Sequence, residues 1–273
     1  MAMHPHPLKV GLFGLGTIGA EVAARLCAGI DGLRLVAVAA RDHDKARRTL
    51  TRLGVQLPVL DAAALAAASD VVLESAPASV FAEIASATIE AGRIFMPLSV
   101  GALLERMDLI ERAQLSGARI IVPTGALLGL DAVRAAAEGT IHSVTAVTRK
   151  PPRGLQGAPY LVEHGIDLAG LEAPKLVFEG NAREAARGFP ANVNVIAALS
   201  LAGIGPDRTR LQIWADPGVD RNQHRIQVEA DSARFTLEIE GIPTAENPAT
   251  GRITALSAVA CLRGLVSTLK VGS

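Results

Sequence analysis

Hydrophobic residues change their spacing about halfway along this chain. Up to residue 122, short apolar runs alternate with stretches in which apolar side chains recur every three or four positions. The runs at residues 10–13, 33–40 (LRLVAVAA), 70–74 (DVVLE), 94–100 and 119–122 read as buried strands. The periodic stretches at 17–28, 44–53, 80–91 and 103–116 read as the helices between them, and the alanine tract at 62–68 is a good helix former. Strands separated by helices of this length imply right-handed crossovers and a parallel sheet.

Beyond residue 123 the period becomes two. Residues 142–149 (HSVTAVTR), 176–179, 210–215, 225–231 and 234–240 alternate as half-exposed antiparallel strands do, with a DPG turn at 216–218. Helices near 182–187 and 192–201 interrupt them. A last helix of mixed pattern, 250–269, is expected to return to the first domain.

The first strand opens on the segment KVGLFGLGTIGAEVAARLC at residues 9–27, which places Gly14, Gly16 and Gly19 in GxGxxG spacing between a strand and a helix. Each glycine has its own reason: a tight turn at Gly14, close approach of backbone to a pyrophosphate at Gly16, and close helix–strand packing at Gly19. The helix that follows aims its free N–H groups at the phosphates. The expected fold is therefore α/β, with an N-terminal Rossmann-type parallel sheet (residues 1–122). A second α+β domain on an open, mainly antiparallel sheet (123–245) and a C-terminal helical segment (246–273) follow. At the end of the second strand, where an acid would accept from the ribose hydroxyls, stand Ala40, Arg41 and Asp42. Alanine cannot do so, whereas the planar fork of Arg41 suits a 2′-phosphate. NADP is expected to be usable and Asp42 leaves NAD open; a solvated loop cation is the alternative reading of Arg41.

Composition narrows the classes. With 273 residues, 49% hydrophobic and 20% charged, the chain can bury a large core. A formal net charge of zero gives no global field to recruit nucleic acid or an anionic membrane surface, so local cations must hold any anionic substrate. Cys27 and Cys261 lie on apolar helical patterns, as small buried side chains in a reducing compartment do. The first ten residues, MAMHPHPLKV, show no basic stretch followed by an apolar run, and no apolar run reaches roughly eighteen residues. A cytoplasmic protein is expected, and no metal ligand set is assigned.

The segments SVGAL (99–103), PTGALLGLDAV (123–133), RKPP (149–152), FPANVNVIAALSLAGIGPDRT (189–209), ADPGVDRNQHRI (215–226) and NPATG (247–251) occur in this order over nearly the whole chain. Together they resemble the L-aspartate dehydrogenase family. The resemblance implies NAD- or NADP-dependent oxidation of L-aspartate to iminoaspartate, which hydrolyses to oxaloacetate and ammonia or feeds NAD synthesis. It also implies a homodimer formed through the second domain's sheet. It puts the active-site histidine on His224, and the nicotinamide-side contacts on Ala126 and Asn192. One departure is the ESAP run at 74–77, where many relatives have small residues; Pro77 reshapes the loop, so Ser75 and Ala76 are assigned no role.

Read without the resemblance, His224 shares a strand face with Ile226 and Val228, the setting of a packed or interface residue. The chemistry nevertheless requires a base, since hydride leaves the substrate's α-carbon only when the amine is neutral, and histidine titrates in the useful range. Asn192 stands at a helix start, where a plain N-cap is the competing role, and Ala126 sits in a turn that often does no more than turn. Lys150 and Arg221 are candidates for the substrate carboxylates, with solvated surface charges as their alternative. Two other readings stay open: a reductase of another small acid resembling dihydrodipicolinate reductase, and a non-catalytic dinucleotide sensor.

Overall fold

In the computed structural model, which describes residues 6–190, 193–247 and 250–272, the first strand β1 (Leu8–Phe13) leads directly into the glycine turn. Then come α1 (Thr17–Cys27), β2 (Leu33–Ala39), α2 (His43–Arg52), α3 (Ala62–Ala68), β3 (Val71–Glu74) and α4 (Phe81–Glu90). The first half closes with β4 (Ile94–Pro97), α5 (Val100–Leu103), α6 (Asp108–Ser116) and β5 (Arg119–Ile120). The strands form one parallel sheet in the order β2-β1-β3-β4-β5. A lone parallel bridge, Val38↔Val59, adds the rudiment of one more strand outside β2. Counting it restores the order 3-2-1-4-5-6 of a Rossmann sheet, with the ligand crevice expected where the order reverses, at the carboxyl end of β1.

Helix starts here are chemically marked. The Asp42 carboxylate accepts from Lys45 N at 2.8 Å to cap α2, and Asp61 accepts from Ala64 N at 2.8 Å to cap α3. All four residues of β3 are buried, as expected of a strand covered on both faces. The expected strand at 94–100 stops at Pro97 instead. Proline has no N–H to offer a neighbouring strand, and although Leu98 N still donates to Glu74 O at 3.0 Å, the groups that follow, Ser99 N and Oγ, are captured by the Glu74 carboxylate. The expected helix at 103–116 begins only at Asp108 as α6; the short α5 precedes it, and a turn in which Arg106 N donates to Leu103 O separates the two.

The second half comprises α7 (Leu130–Ala137), β6 (Ile141–Lys150), α8 (Pro159–Glu163), β7 (Lys175–Asn181) and α9 (Ala182–Gly188). It continues with α10 (Asn194–Ala202), β8 (Arg210–Ala215), β9 (Asn222–Ala230) and β10 (Arg234–Gly241), and α11 (Arg252–Val266) ends the chain's regular structure. Its sheet runs β10-β9-β6-β8-β7. Three pairings are antiparallel, but β6 and β8 run parallel, a pairing that alternation alone does not reveal. Residues Val144, Ala146, Thr148 and Lys150 of β6 and His224, Ile226 and Val228 of β9 are all buried, so they share the covered face of the sheet. Arg149, Trp214 and Arg225 alternate onto the other face.

The chain divides into two units, the described residues of Met1–Pro123 with Ala255–Lys270, and those of Thr124–Thr254 with Val271–Ser273. The division runs through α11, whose Ala255, Ala258, Val259 and Leu262 pack into the core of the first unit with Val22, Leu26, Leu35 and Leu73. The described residues of 246–254 belong with the second unit.

Candidate active site

Backbone geometry at the start of α1 accounts for two of the three glycines. Gly14 has φ +98°, a conformation glycine adopts without strain, and its N–H donates to Ala39 O at 2.7 Å, tying the turn to the end of β2. A Cβ on Gly19 would lie 1.9 Å from Gly14 O, so α1 approaches the turn closely only because that position has no side chain. Gly16 is different: a Cβ there meets no protein atom within 4 Å, and the residue is exposed at the N-cap of α1 with no side chain to cap it. Packing therefore does not require glycine at Gly16, whereas close approach of a phosphate to the backbone does. This cradle and the uncapped N-terminus of α1 fit the pyrophosphate of a dinucleotide.

Glu74, at the carboxyl end of β3, is fully buried. Its oxygens accept from Ala76 N at 2.8 Å, Ser99 N at 3.0 Å and Ser99 Oγ at 2.9 Å, joining the loops that follow β3 and β4. Burial pushes its carboxyl up, against the lowering pull of the bonds from Ser99 and Ala76. Ser75, given no role from sequence, donates through Oγ to Gly14 O at 3.0 Å and so braces the glycine turn. Neither residue has a motif; the signal for Glu74 was a charged residue ending an otherwise apolar strand.

At the end of β2, Arg41 is exposed and Asp42 spends one carboxylate oxygen capping α2. The β2–α2 turn thus keeps Arg41 as its solvent-facing cation next to the glycine turn.

In the second unit, antiparallel pairing of β6 and β9 sets Thr148 directly opposite His224. Thr148 Oγ1 lies 3.0 Å from His224 Nδ1, and each residue is 6% exposed. Lys150, two positions along the same face, is 5% exposed. Burial pushes the Lys150 ammonium down to about 8. Burial first, and the Lys150 cation second, push the His224 imidazole down to about 3. The ring is therefore neutral at physiological pH, with one nitrogen engaged by Thr148. Thr148 was not singled out by sequence reasoning, although the period of HSVTAVTRK puts it on one face with Lys150.

The remaining candidates separate. Arg221 lies in the β8–β9 loop and its guanidinium is paired with the exposed Asp220 at 2.7 Å. Ala126 sits half-buried in the turn between β5 and α7, next to Gly125 at φ +66°. Asn192 lies outside the described residues. Below the site, Asp216 N donates to Lys150 O at 2.8 Å, and the Asp216 carboxylate accepts from Gly218 N and from Arg149 Nη1, which secures the turn beyond Lys150.

The profile of a family described as "Aspartate dehydrogenase, C-terminal" matches residues 131–265, and one described as "Homoserine dehydrogenase, NAD binding domain" matches residues 14–123. An L-aspartate dehydrogenase of Bradyrhizobium diazoefficiens is 55% identical over 97% of this chain and 94% of its own length. An L-aspartate dehydrogenase 3 of Bordetella bronchiseptica is 51% identical over 97% and 98%. The crystal structure of an aspartate dehydrogenase from Thermotoga maritima, 22% identical, has the same fold, with a TM-score of 0.72 over 98% of this chain and all of that one. With identity above one half sustained over nearly the full length of both relatives, the chain belongs to the L-aspartate dehydrogenase family.

Proposed function

We propose that this chain oxidises L-aspartate to iminoaspartate with NAD or NADP, and that water then converts the imine to oxaloacetate and ammonia. Family membership supports the reading, and the observation that carries it is the buried His224 beside Thr148 and Lys150. Gly14, Gly16, Gly19 and Arg41 are the proposed cofactor residues of the first unit, and Ala126 and Asn192 those of the second. When bound, the nicotinamide supplies the hydride acceptor.

The work left to the protein is proton transfer and charge neutralisation. The substrate's ammonium must lose a proton before its lone pair can form the C=N bond as hydride leaves the α-carbon. His224 is the proposed base for that proton and for the water that later adds to the imine. Lys150, buried on the same sheet face as His224, is the proposed partner for a substrate carboxylate. A carboxylate beside Lys150 also offsets one of the two causes that hold the His224 imidazole low, so binding the dicarboxylate makes the ring a stronger base.

The open face of the second sheet carries Arg149, Gln212, Trp214, Gln223, Arg225 and Glu238 around a shallow depression, and a second copy of the chain is its proposed occupant. Analytical ultracentrifugation would show a dimer. Among the described residues no helix is long and apolar enough to cross a membrane, and the cytoplasm is the proposed compartment on the sequence grounds given above.

The test is absorbance of reduced nicotinamide with NAD or NADP against L-aspartate and a panel of other amino acids, for the native chain and His224→Ala. Aspartate alone should reduce cofactor. The variant should lose at least about two orders of magnitude in rate while still binding cofactor. Turnover of another small acid instead would favour the dihydrodipicolinate-reductase-like alternative, and cofactor binding without turnover of anything would favour the sensor.

A further inference from the structure

Because the His224 ring is neutral, its two nitrogens have opposite roles, one a donor and one an acceptor. The group that Nδ1 meets, together with the work asked of Nε2, assigns them. Of the two residues paired with His224 across the sheet, Ile239 on β10 offers no hydrogen-bonding group and Thr148 on β6 offers a hydroxyl. Lys150, on the same face, donates as an ammonium and cannot accept an imidazole N–H. Thr148 is β-branched and buried, so its χ1 is stiff and its oxygen stays where the backbone register puts it.

If Thr148 donated its hydroxyl hydrogen to Nδ1, the neutral ring would carry its proton on Nε2 and that nitrogen could not take one from substrate. If Nδ1–H donates to Thr148 Oγ1, the Nε2 lone pair is the base. We propose that Thr148 is a positioning residue that holds His224 in the Nδ1–H tautomer by accepting that hydrogen, leaving Nε2 to exchange protons with substrate and water. The inference rests on the reading of His224 as the base and adds the group that makes it one. The 3.0 Å separation in a buried setting gives the bond little competition from water.

Nitrogen-15 spectra of the histidine-labelled native protein test this directly, with the His224 signals assigned by their loss in His224→Gln. The expected pattern for His224 is a protonated, pyrrole-like Nδ1 and an unprotonated, pyridine-like Nε2. Thr148→Val keeps the shape and removes the acceptor: kcat should fall on the order of 10- to 100-fold, with cofactor affinity measured by calorimetry unchanged and the tautomer ratio moved toward Nε2–H. Thr148→Ser should restore most of the rate and the native spectrum.

A native spectrum with the proton on Nε2 would overturn the proposal, and so would a Thr148→Val enzyme with native kcat and an unaltered tautomer. Should the valine variant fail to fold, the native spectrum and the serine variant still decide it. Full activity in His224→Gln would instead overturn the role of His224 proposed above, a result the Thr148 variants cannot mimic.

Discussion

At the level of single side chains, burial decides most of what matters. A lysine and a histidine that would be ordinary solvated groups on the other face of the same strands become a neutral imidazole and a weakened ammonium on the covered face. Arg41 is the converse, an exposed cation whose value lies in its neighbours. Ala40 cannot bind a ribose diol and Asp42 spends one carboxylate oxygen on α2, so Arg41 is the proposed discriminator at the 2′-position. Arg41→Ala should weaken binding of NADPH by about tenfold, equivalent to about 1.4 kcal/mol, and leave NADH affinity nearly unchanged. Titration by fluorescence of the two reduced cofactors checks this, and equal losses for both would exclude a 2′-phosphate contact.

Elements matter here through the way they abut. The N-terminus of α1 can reach the glycine turn only because Gly19 has no side chain and Ser75 braces Gly14 from β3's end. Gly19→Ala forces a methyl group toward Gly14 O and Ser75 Oγ, so α1 must shift away from the turn. Overpacking of this kind costs about 1–3 kcal/mol. The expected result is a lowered melting temperature together with weakened affinity for either dinucleotide. A Gly16→Ala control should lose affinity with little loss of stability, since its Cβ meets open space. If Gly16→Ala destabilised the fold as much as Gly19→Ala, the division of labour between the two glycines would be wrong.

Across the whole molecule, the buried site has a cost that depends on pH. His224 and Lys150 both hold protons less tightly in the native state than when unfolded. Between about 3 and 6.5 the unfolded chain carries a proton at His224 that the native chain does not, and between about 8 and 10.5 the same holds at Lys150. Protons therefore favour unfolding in both windows. Stability should fall as pH drops from 6.5 toward 3, and should rise as pH is raised from about 8 toward 10.5. Urea denaturation across pH reads both limbs: Lys150→Met should flatten the upper one and His224→Gln the lower. Unaltered slopes in the variants would show that other groups dominate.

Sequence alone determined the features that depend on local chemistry and period. Alternating runs predicted the parallel sheet, the glycine spacing located the tight turn between β1 and α1, and the order of motifs identified the family, because each is written in residues close along the chain. Other features required the chain to be folded. That Pro97 and Glu74 end β4 early, that β6 pairs parallel with β8, and that Val59 supplies only a single bridge beside β2 depend on partners far away in sequence. So does the centre of the site. Thr148 and His224 are 76 residues apart, and only strand register brings the hydroxyl to Nδ1. Periodicity assigned His224 to a face, but whether that face is covered, and so whether its imidazole is charged, is decided by what packs over the sheet.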